Sequence, residues 1–207
     1  MTYTEYSYPK RNMKFVRDLM EYFIFRFRIW NKKILSIGCG DGVHEDILAD
    51  SHFFNEVICL DNKEQYNAEK DCLPYKDNSF NVVFIKSVIE HIQNTDLFLL
   101  EIKRVLKNTG ILIILTPDYQ KQKDFFFDDY THIKPFTKNS LKMALQLNNY
   151  KFVSTEWFWY YKKIWERKLF SNILPIRFAF WLTKITGIKY FRWGSDRQIL
   201  GIGVKYE

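Results

Sequence analysis

Alternating glycines at 38, 40 and 42, an aspartate at 61 and the segment Asp129-Tyr130-Thr131-His132 are the parts of this chain whose residue types and spacing can do chemistry. The glycines follow the apolar run Ile34-Leu35-Ser36-Ile37 at once. Glycine permits positive φ and lets a ligand touch bare main chain, so such a turn can cradle a bound molecule. Asp61 closes the run Val57-Ile58-Cys59-Leu60. A carboxylate at that place can accept hydrogen bonds from both hydroxyls of a ribose. Asp129 and His132 in one loop can form an oriented general base for a hydroxyl acceptor. A hydrogen bond that staples the loop is the competing reading. Asp118, after Pro117, is open to two readings of its own, substrate contact or turn chemistry.

The glycine spacing narrows the ligand. A dinucleotide fingerprint, Gly-x-Gly-x-x-Gly, needs its last glycine at 43, where the chain has Val43, so a nicotinamide or flavin cofactor is disfavoured. No Gly-Lys-Ser or Gly-Lys-Thr follows, which excludes a P-loop. Cys39, Cys59 and Cys72 form neither a Cys-x-x-Cys pair nor a zinc spacing. They are expected as buried free thiols, and no metal site is expected.

These residues need a scaffold that brings distant segments to one crevice. A β-branched run, a glycine turn and a polar helical stretch at 44–50 read as strand, turn and helix, the first crossover of a doubly wound α/β sheet. Strands are expected at about 33–37, 56–60, 69–72, 80–85 and 111–115, then from about 152 and over 199–205. The run 80–85 reads as a central strand buried on both faces. Helices are expected over about 12–30, with Phe15, Leu19, Tyr22, Phe23 and Phe27 on its apolar face, and from Asn94-Thr95 to a stop at Gly110. A short helical start is expected near Ser87, and Thr137 is expected to cap a helix that ends at Asn148-Asn149.

Five blocks, in order, resemble the class I S-adenosylmethionine-dependent methyltransferases, and within them the small type 11 group. They are the glycine turn, Val57 to Asp61, Leu73-Pro74-Tyr75-Lys76-Asp77-Asn78-Ser79-Phe80-Asn81-Val82-Val83, Ser87-Val88-Ile89-Glu90-His91-Ile92, and Glu101 to Gly110 followed by Thr116-Pro117-Asp118. The resemblance implies a Rossmann-like, mostly parallel seven-stranded sheet of order 3-2-1-4-5-7-6, the last strand antiparallel, with helices on both faces. It implies S-adenosylmethionine as cofactor, contacted by Gly38, Cys39, Gly40, Asp61, Asn62, Asp71, Cys72, Ser87 and His91. It places His132 and Asp129, in a block similar to the family's Asp-Pro-Thr-His, near the methyl acceptor. The first helix is expected to cap the cofactor pocket or simply to pack on the sheet. One departure stands out: the family's acid two positions before the first glycine is Ser36 here.

The chain of 207 residues is expected to form one domain. Residues 1–32 would be an N-terminal helical cap, 33–161 the cofactor and sheet core, 162–196 an insertion and 197–207 the last strand. Family members join their last two strands by a short turn, so the insertion is a functional candidate. Charge is uneven: 8 Lys/Arg against 3 acids over 1–33, 7 against 14 over 34–118, and 16 against 7 over 119–207. The basic flanks favour an anionic substrate or surface. Trp157, Trp159, Trp165, Trp181 and Trp193 are interleaved with Lys and Arg in and beside the insertion. That composition fits an element in a membrane interface, a lid or a dimer contact.

The expected function is methyl transfer from S-adenosylmethionine to a small or lipid-linked acceptor, a sugar among the candidates. A non-catalytic cofactor-binding or membrane-associated module is the alternative. Nucleic-acid methylation is disfavoured, because no Asp/Asn-Pro-Pro-Tyr/Phe and no Pro-Cys nucleophile is present, although the basic flanks suit a nucleic acid electrostatically. The location is expected to be cytoplasmic, with peripheral membrane contact through 162–196 as one reading: no run of eighteen uncharged apolar residues and no secretory signal is seen. Acceptor atom and oligomeric state are not encoded in any motif.

Overall fold

A computed structural model describes residues 13–61, 72–123, 125–159 and 197–206. Over these, the chain runs α1 (Met13–Phe27), β1 (Lys33–Ile37), α2 (Val43–Leu48), β2 (Glu56–Leu60), β3 (Phe80–Lys86), a 3-10 turn (Ile89–His91), α3 (Thr95–Val105) and β4 (Leu106–Pro117). It continues through α4 (Tyr119–Gln122), a second 3-10 turn (Phe126–Asp128), α5 (Lys138–Leu147), β5 (Lys151–Trp159) and β6 (Arg197–Val204). The expected third strand and the insertion at 162–196 lie outside the described residues, apart from Cys72, which is not in a strand.

The strands form one six-stranded sheet of order β2-β1-β3-β4-β6-β5. β2, β1, β3 and β4 pair in parallel, and β6 runs antiparallel to both β4 and β5. That is the expected order without its third strand. Alternation along the strands divides the core between two faces. Leu35, Ile37, Val83, Ile85, Leu112 and Ile114 pack with Phe98, Leu99 and Ile102 of α3 and Leu141 and Leu145 of α5. Ile34, Val82, Phe84, Ile113 and Leu115 pack with Leu19, Met20, Phe23 and Ile24 of α1 and Ile47 and Leu48 of α2. The apolar stripe of α1 therefore packs on the sheet, with the Phe23 ring 6.0 Å from Phe84 and 5.4 Å from Phe158.

Local signals explain where the elements stop. Asn94 caps α3 by accepting from Leu97 N at 3.2 Å, and Thr137 caps α5 by accepting from Ser140 N at 3.1 Å. The helix expected to reach Gly110 ends instead at Val105, and β4 begins with Leu106. Leu106 is fully buried and pairs with Phe80, and the ladder then shifts register before Ile111 pairs with Val82. Thr109, at φ 64°, lies in this irregularity, and the Gly110 carbonyl accepts from Lys205 N at 3.0 Å. Gly110 thus serves a bulge in a strand rather than a helix end: a Cβ there would stand 2.7 Å from Lys107 O.

The cysteines also differ from expectation. Cys39 and Cys59 are joined in a disulfide with Cα atoms 5.9 Å apart, because β1 and β2 pair in parallel and bring the turn after β1 over Cys59. Cys72 is free but exposed rather than buried.

Candidate functional site

The parallel strands all end at one edge of the sheet, and there the chain leaves them in tight turns. Gly38, Gly40 and Gly42 have φ of 75°, 59° and 75°, a left-handed region that strains any side chain carrying a Cβ. Gly38 N donates to Leu60 O at 2.8 Å, which holds the turn against the end of β2 and sets Asp61 beside it. Against the end of β3, a Cβ on Gly38 would come 2.2 Å from Val88 Cγ2. A Cβ on Gly42 would meet nothing within 4 Å, so its side of the turn is open. Asp61 is half-buried, and Ser87 is exposed with φ 53°, its N–H donating to Leu115 O at 2.9 Å.

An acid that no motif identified completes this half. Ser36 Oγ donates to Glu45 Oε1 at 2.5 Å, and Glu45 Oε2 is buried without a hydrogen-bond partner among the described residues. Burial raises the Glu45 carboxyl above its ordinary range, against the pull of the Ser36 hydroxyl. Ser36, which stands where the resemblance implied an acid, is therefore bonded to a carboxyl from α2.

A second cluster lies where the 3-10 turn after β3 meets the loop before α5. Ile133 N and Lys134 N both donate to Glu90 O at 3.0 Å, fastening the loop to the turn. The Glu90 side chain is fully buried. Its Oε2 accepts from Thr116 Oγ1 at 2.9 Å, and its Oε1 has no partner among the described residues. Burial pushes the Glu90 carboxyl up to about 7, with hydrogen bonds from its own backbone and from Thr116 acting the other way.

Two histidines flank that carboxyl with their rings 4.7 Å apart. His132 Nδ1 lies 2.7 Å from Phe126 O. A carbonyl only accepts, so Nδ1 carries the proton and Nε2 of the neutral ring keeps its lone pair. His91 Nδ1 lies 3.1 Å from Thr131 O and 2.9 Å from Thr131 Oγ1. The Thr131 hydroxyl gives its proton to Asp129 Oδ1 at 2.6 Å, so His91 Nδ1 is again a donor and Nε2 again keeps its lone pair. Burial lowers the proton affinity of His91, and His132 adds to that.

The expected site residues thus fall into two groups. Gly38, Cys39, Gly40, Asp61 and Ser87 gather at the ends of β1, β2 and β3, while His91, Asp129 and His132 gather at the neighbouring turn and loop. Asn62 and Asp71 lie outside the described residues. The His132 ring is held by a backbone carbonyl, and Asp129 Oδ2 stands 3.9 Å from its Nε2. Asp129 itself accepts from Thr131 N at 3.0 Å. Asp118 is fully buried, caps α4 by accepting from Gln120 N at 3.2 Å and pairs with Arg197, so turn chemistry and an ion pair describe it. Glu45 and Glu90 were not among the expected site residues; Glu45 stands between His44 and Asp46 and Glu90 between Ile89 and His91, and only their burial distinguishes them.

A family model described as a methyltransferase domain matches residues 8–155. An uncharacterised protein of Methanocaldococcus jannaschii is 30% identical over 145 residues, 63% of this chain and 64% of that protein. A Mycolicibacterium smegmatis protein named as a probable S-adenosylmethionine-dependent methyltransferase is 30% identical over 123 residues, 53% of this chain and 47% of that one. The chain therefore spans between about half and two thirds of the length of the curated relatives it matches. Among solved structures, a SAM-dependent methyltransferase of Archaeoglobus fulgidus superposes with a TM-score of 0.62 at 20% identity, covering 91% of this chain and 94% of that one. Phosphoethanolamine N-methyltransferase 2 of Haemonchus contortus, solved with S-adenosyl-L-methionine, gives 0.62 at 16% identity over 92% of this chain and 53% of that one. These likenesses establish the fold.

Proposed function

The chain belongs to the methyltransferase-domain family, and on that premise we propose that it transfers the methyl group of S-adenosylmethionine to a hydroxyl of a small or lipid-linked acceptor. The observation that carries this reading is the left-handed glycine turn bonded through Gly38 N to Leu60 O, which puts bare backbone beside Asp61. The residues present fit the cofactor. Backbone from Gly38 to Gly40 would hold its amino-acid end, the unpartnered Glu45 Oε2 is an acceptor for an ammonium, and Asp61 is an acceptor for ribose hydroxyls. When bound, the cofactor supplies a methyl group activated by its sulfonium.

The chain's own contribution is alignment and proton handling. Holding two reactants in register removes roughly 7 to 11 kcal/mol of barrier in favourable cases. With Nδ1 tied to Phe126 O, His132 presents a lone pair at Nε2 that can take the acceptor's proton. A positioned base contributes about a hundredfold or more. Basic flanks around an acidic centre favour an acceptor with an anionic group, such as a phosphorylated or lipid-linked sugar. An enzyme meeting its acceptor at a membrane surface fits that chemistry, and among the described residues no helix is long and apolar enough to cross a membrane.

The test is transfer of labelled methyl from S-adenosylmethionine into the lipid-extractable and aqueous fractions of a cell extract, with wild type and His132→Ala. The reading expects label in one fraction with the wild type, and at least about a hundredfold less with His132→Ala while cofactor binding stays intact. Cofactor bound without label in either fraction would point to the non-catalytic module. Equal label with His132→Ala would remove the base assignment.

A further inference from the structure

We propose that Glu90, His91 and His132 form a divalent transition-metal site beside the cofactor crevice, whose open positions take the oxygen of the methyl acceptor. The proposal rests on the methyltransferase reading for the identity of that oxygen. One carboxylate oxygen of Glu90 and one ring nitrogen of each histidine all lie within 4.8 Å of one another. Ligand bonds of about 2.0 to 2.2 Å place donor atoms roughly 3 to 4 Å apart, so side-chain shifts of about an ångström close the set onto one ion.

Two independent features distinguish this cluster from a chance meeting of polar groups. The first is the unpartnered oxygen. Glu90 is fully buried, its Oε2 is occupied by Thr116 and its Oε1 meets no donor among the described residues. A buried charge without a partner is costly, and coordination to a cation is one of the few arrangements that removes the cost. The second is the tautomer of both rings. His132 and His91 donate Nδ1–H to the Phe126 carbonyl and to Thr131, which leaves both Nε2 atoms as acceptors. Metal-bound histidines commonly carry this arrangement, the second nitrogen fixed by a carbonyl or hydroxyl.

Two histidines and one carboxylate suit iron, manganese, cobalt, nickel or zinc better than calcium or magnesium. Three protein ligands leave positions open, as in catalytic rather than structural sites. With a cation bound, the His132 Nε2 lone pair serves as a ligand in place of the base role given to it above, and the cation instead lowers the proton affinity of a bound hydroxyl. The hydroxyl proton then leaves to solvent, an oxygen lone pair forms the bond to the methyl carbon, and the carbon–sulfur bond breaks with its pair remaining on sulfur. The products are a methyl ether and the thioether form of the cofactor.

The test is titration of chelator-treated full-length protein with cobalt(II) chloride, followed by visible absorption and calorimetry, with S-adenosylhomocysteine binding measured on the same samples. Wild type is expected to bind one equivalent with ligand-field bands in the visible. Glu90→Gln, which keeps the shape and the Thr116 contact, is expected to weaken cobalt binding at least about tenfold and to bind S-adenosylhomocysteine as wild type does, and His91→Gln, at a half-buried ring, is expected to weaken cobalt binding to a similar extent. His52→Ala and Cys72→Ser, both exposed, are expected to bind cobalt unchanged. Absence of cobalt binding in wild type, or binding indifferent to both ligand variants, overturns the site. Cofactor binding without cobalt binding overturns the metal alone; cobalt binding without cofactor binding overturns the methyltransferase reading and leaves the metal.

Discussion

The Ser36 hydroxyl donates to the buried Glu45 carboxylate at 2.5 Å, joining β1 to α2 directly beneath the glycine turn. Position 36, where the resemblance implied an acid, is thus bonded to a carboxyl supplied by the helix. Burial raises the Glu45 carboxyl above its ordinary value near 4.5, so the folded state binds its proton more tightly than the unfolded chain does. The stabilisation is fully present below that ordinary value and declines as pH rises through the folded value. Urea midpoints of wild type are expected to fall from pH 4.5 upward more steeply than those of Glu45→Gln. Superimposable pH profiles would contradict this. Ser36→Ala, which strips the hydroxyl from a buried acid, is expected to cost about 1 to 3 kcal/mol.

Phe23 is fully buried between α1 and the sheet, with its ring near Phe27, Phe84 and Phe158. Phe23→Ala opens a cavity there and is expected to lower stability by about 3 to 5 kcal/mol in urea unfolding. A loss under about 1 kcal/mol would mean that α1 does not pack on the sheet as described.

How much of this could be read from sequence depended on whether the feature was local. The glycine turn, Asp61, the central strands and the Thr137 cap are written in consecutive residues, and each stands where its residue types require. Gly110 looked like a helix stop because a glycine after an amphipathic run is the common signal, whereas the pairing of Leu106 with Phe80 is a long-range fact that claims those residues for the sheet. The same holds for Cys39 and Cys59, which meet only through the parallel register of β1 and β2. The site was half legible: His91 and His132 could be named, but not the carbonyl of Phe126 that orients one, nor the burial that makes Glu45 and Glu90 unusual acids.

The aromatic and basic composition of 162–196, outside the described residues, leads to an expectation about surfaces. Wild type is expected to sediment with anionic but not neutral liposomes at low salt and to be released at high salt, as screening requires. Replacing Phe180 and Trp181 with serine is expected to abolish sedimentation. Binding that survives those replacements would assign the contact to another basic surface, and no binding at all would make the segment a lid or dimer contact.

The central claim is that the turn of Gly38 to Gly42 and the carboxylate of Asp61 hold S-adenosylmethionine, and calorimetric titration with S-adenosylhomocysteine tests it most directly. Wild type is expected to bind one equivalent. Asp61→Ala, which removes an acceptor for ribose hydroxyls, and Gly40→Val, which forces a β-branched residue into φ 59°, are expected to weaken binding by at least about tenfold. No heat of binding with folded wild type, or equal affinity in both variants, would contradict the account.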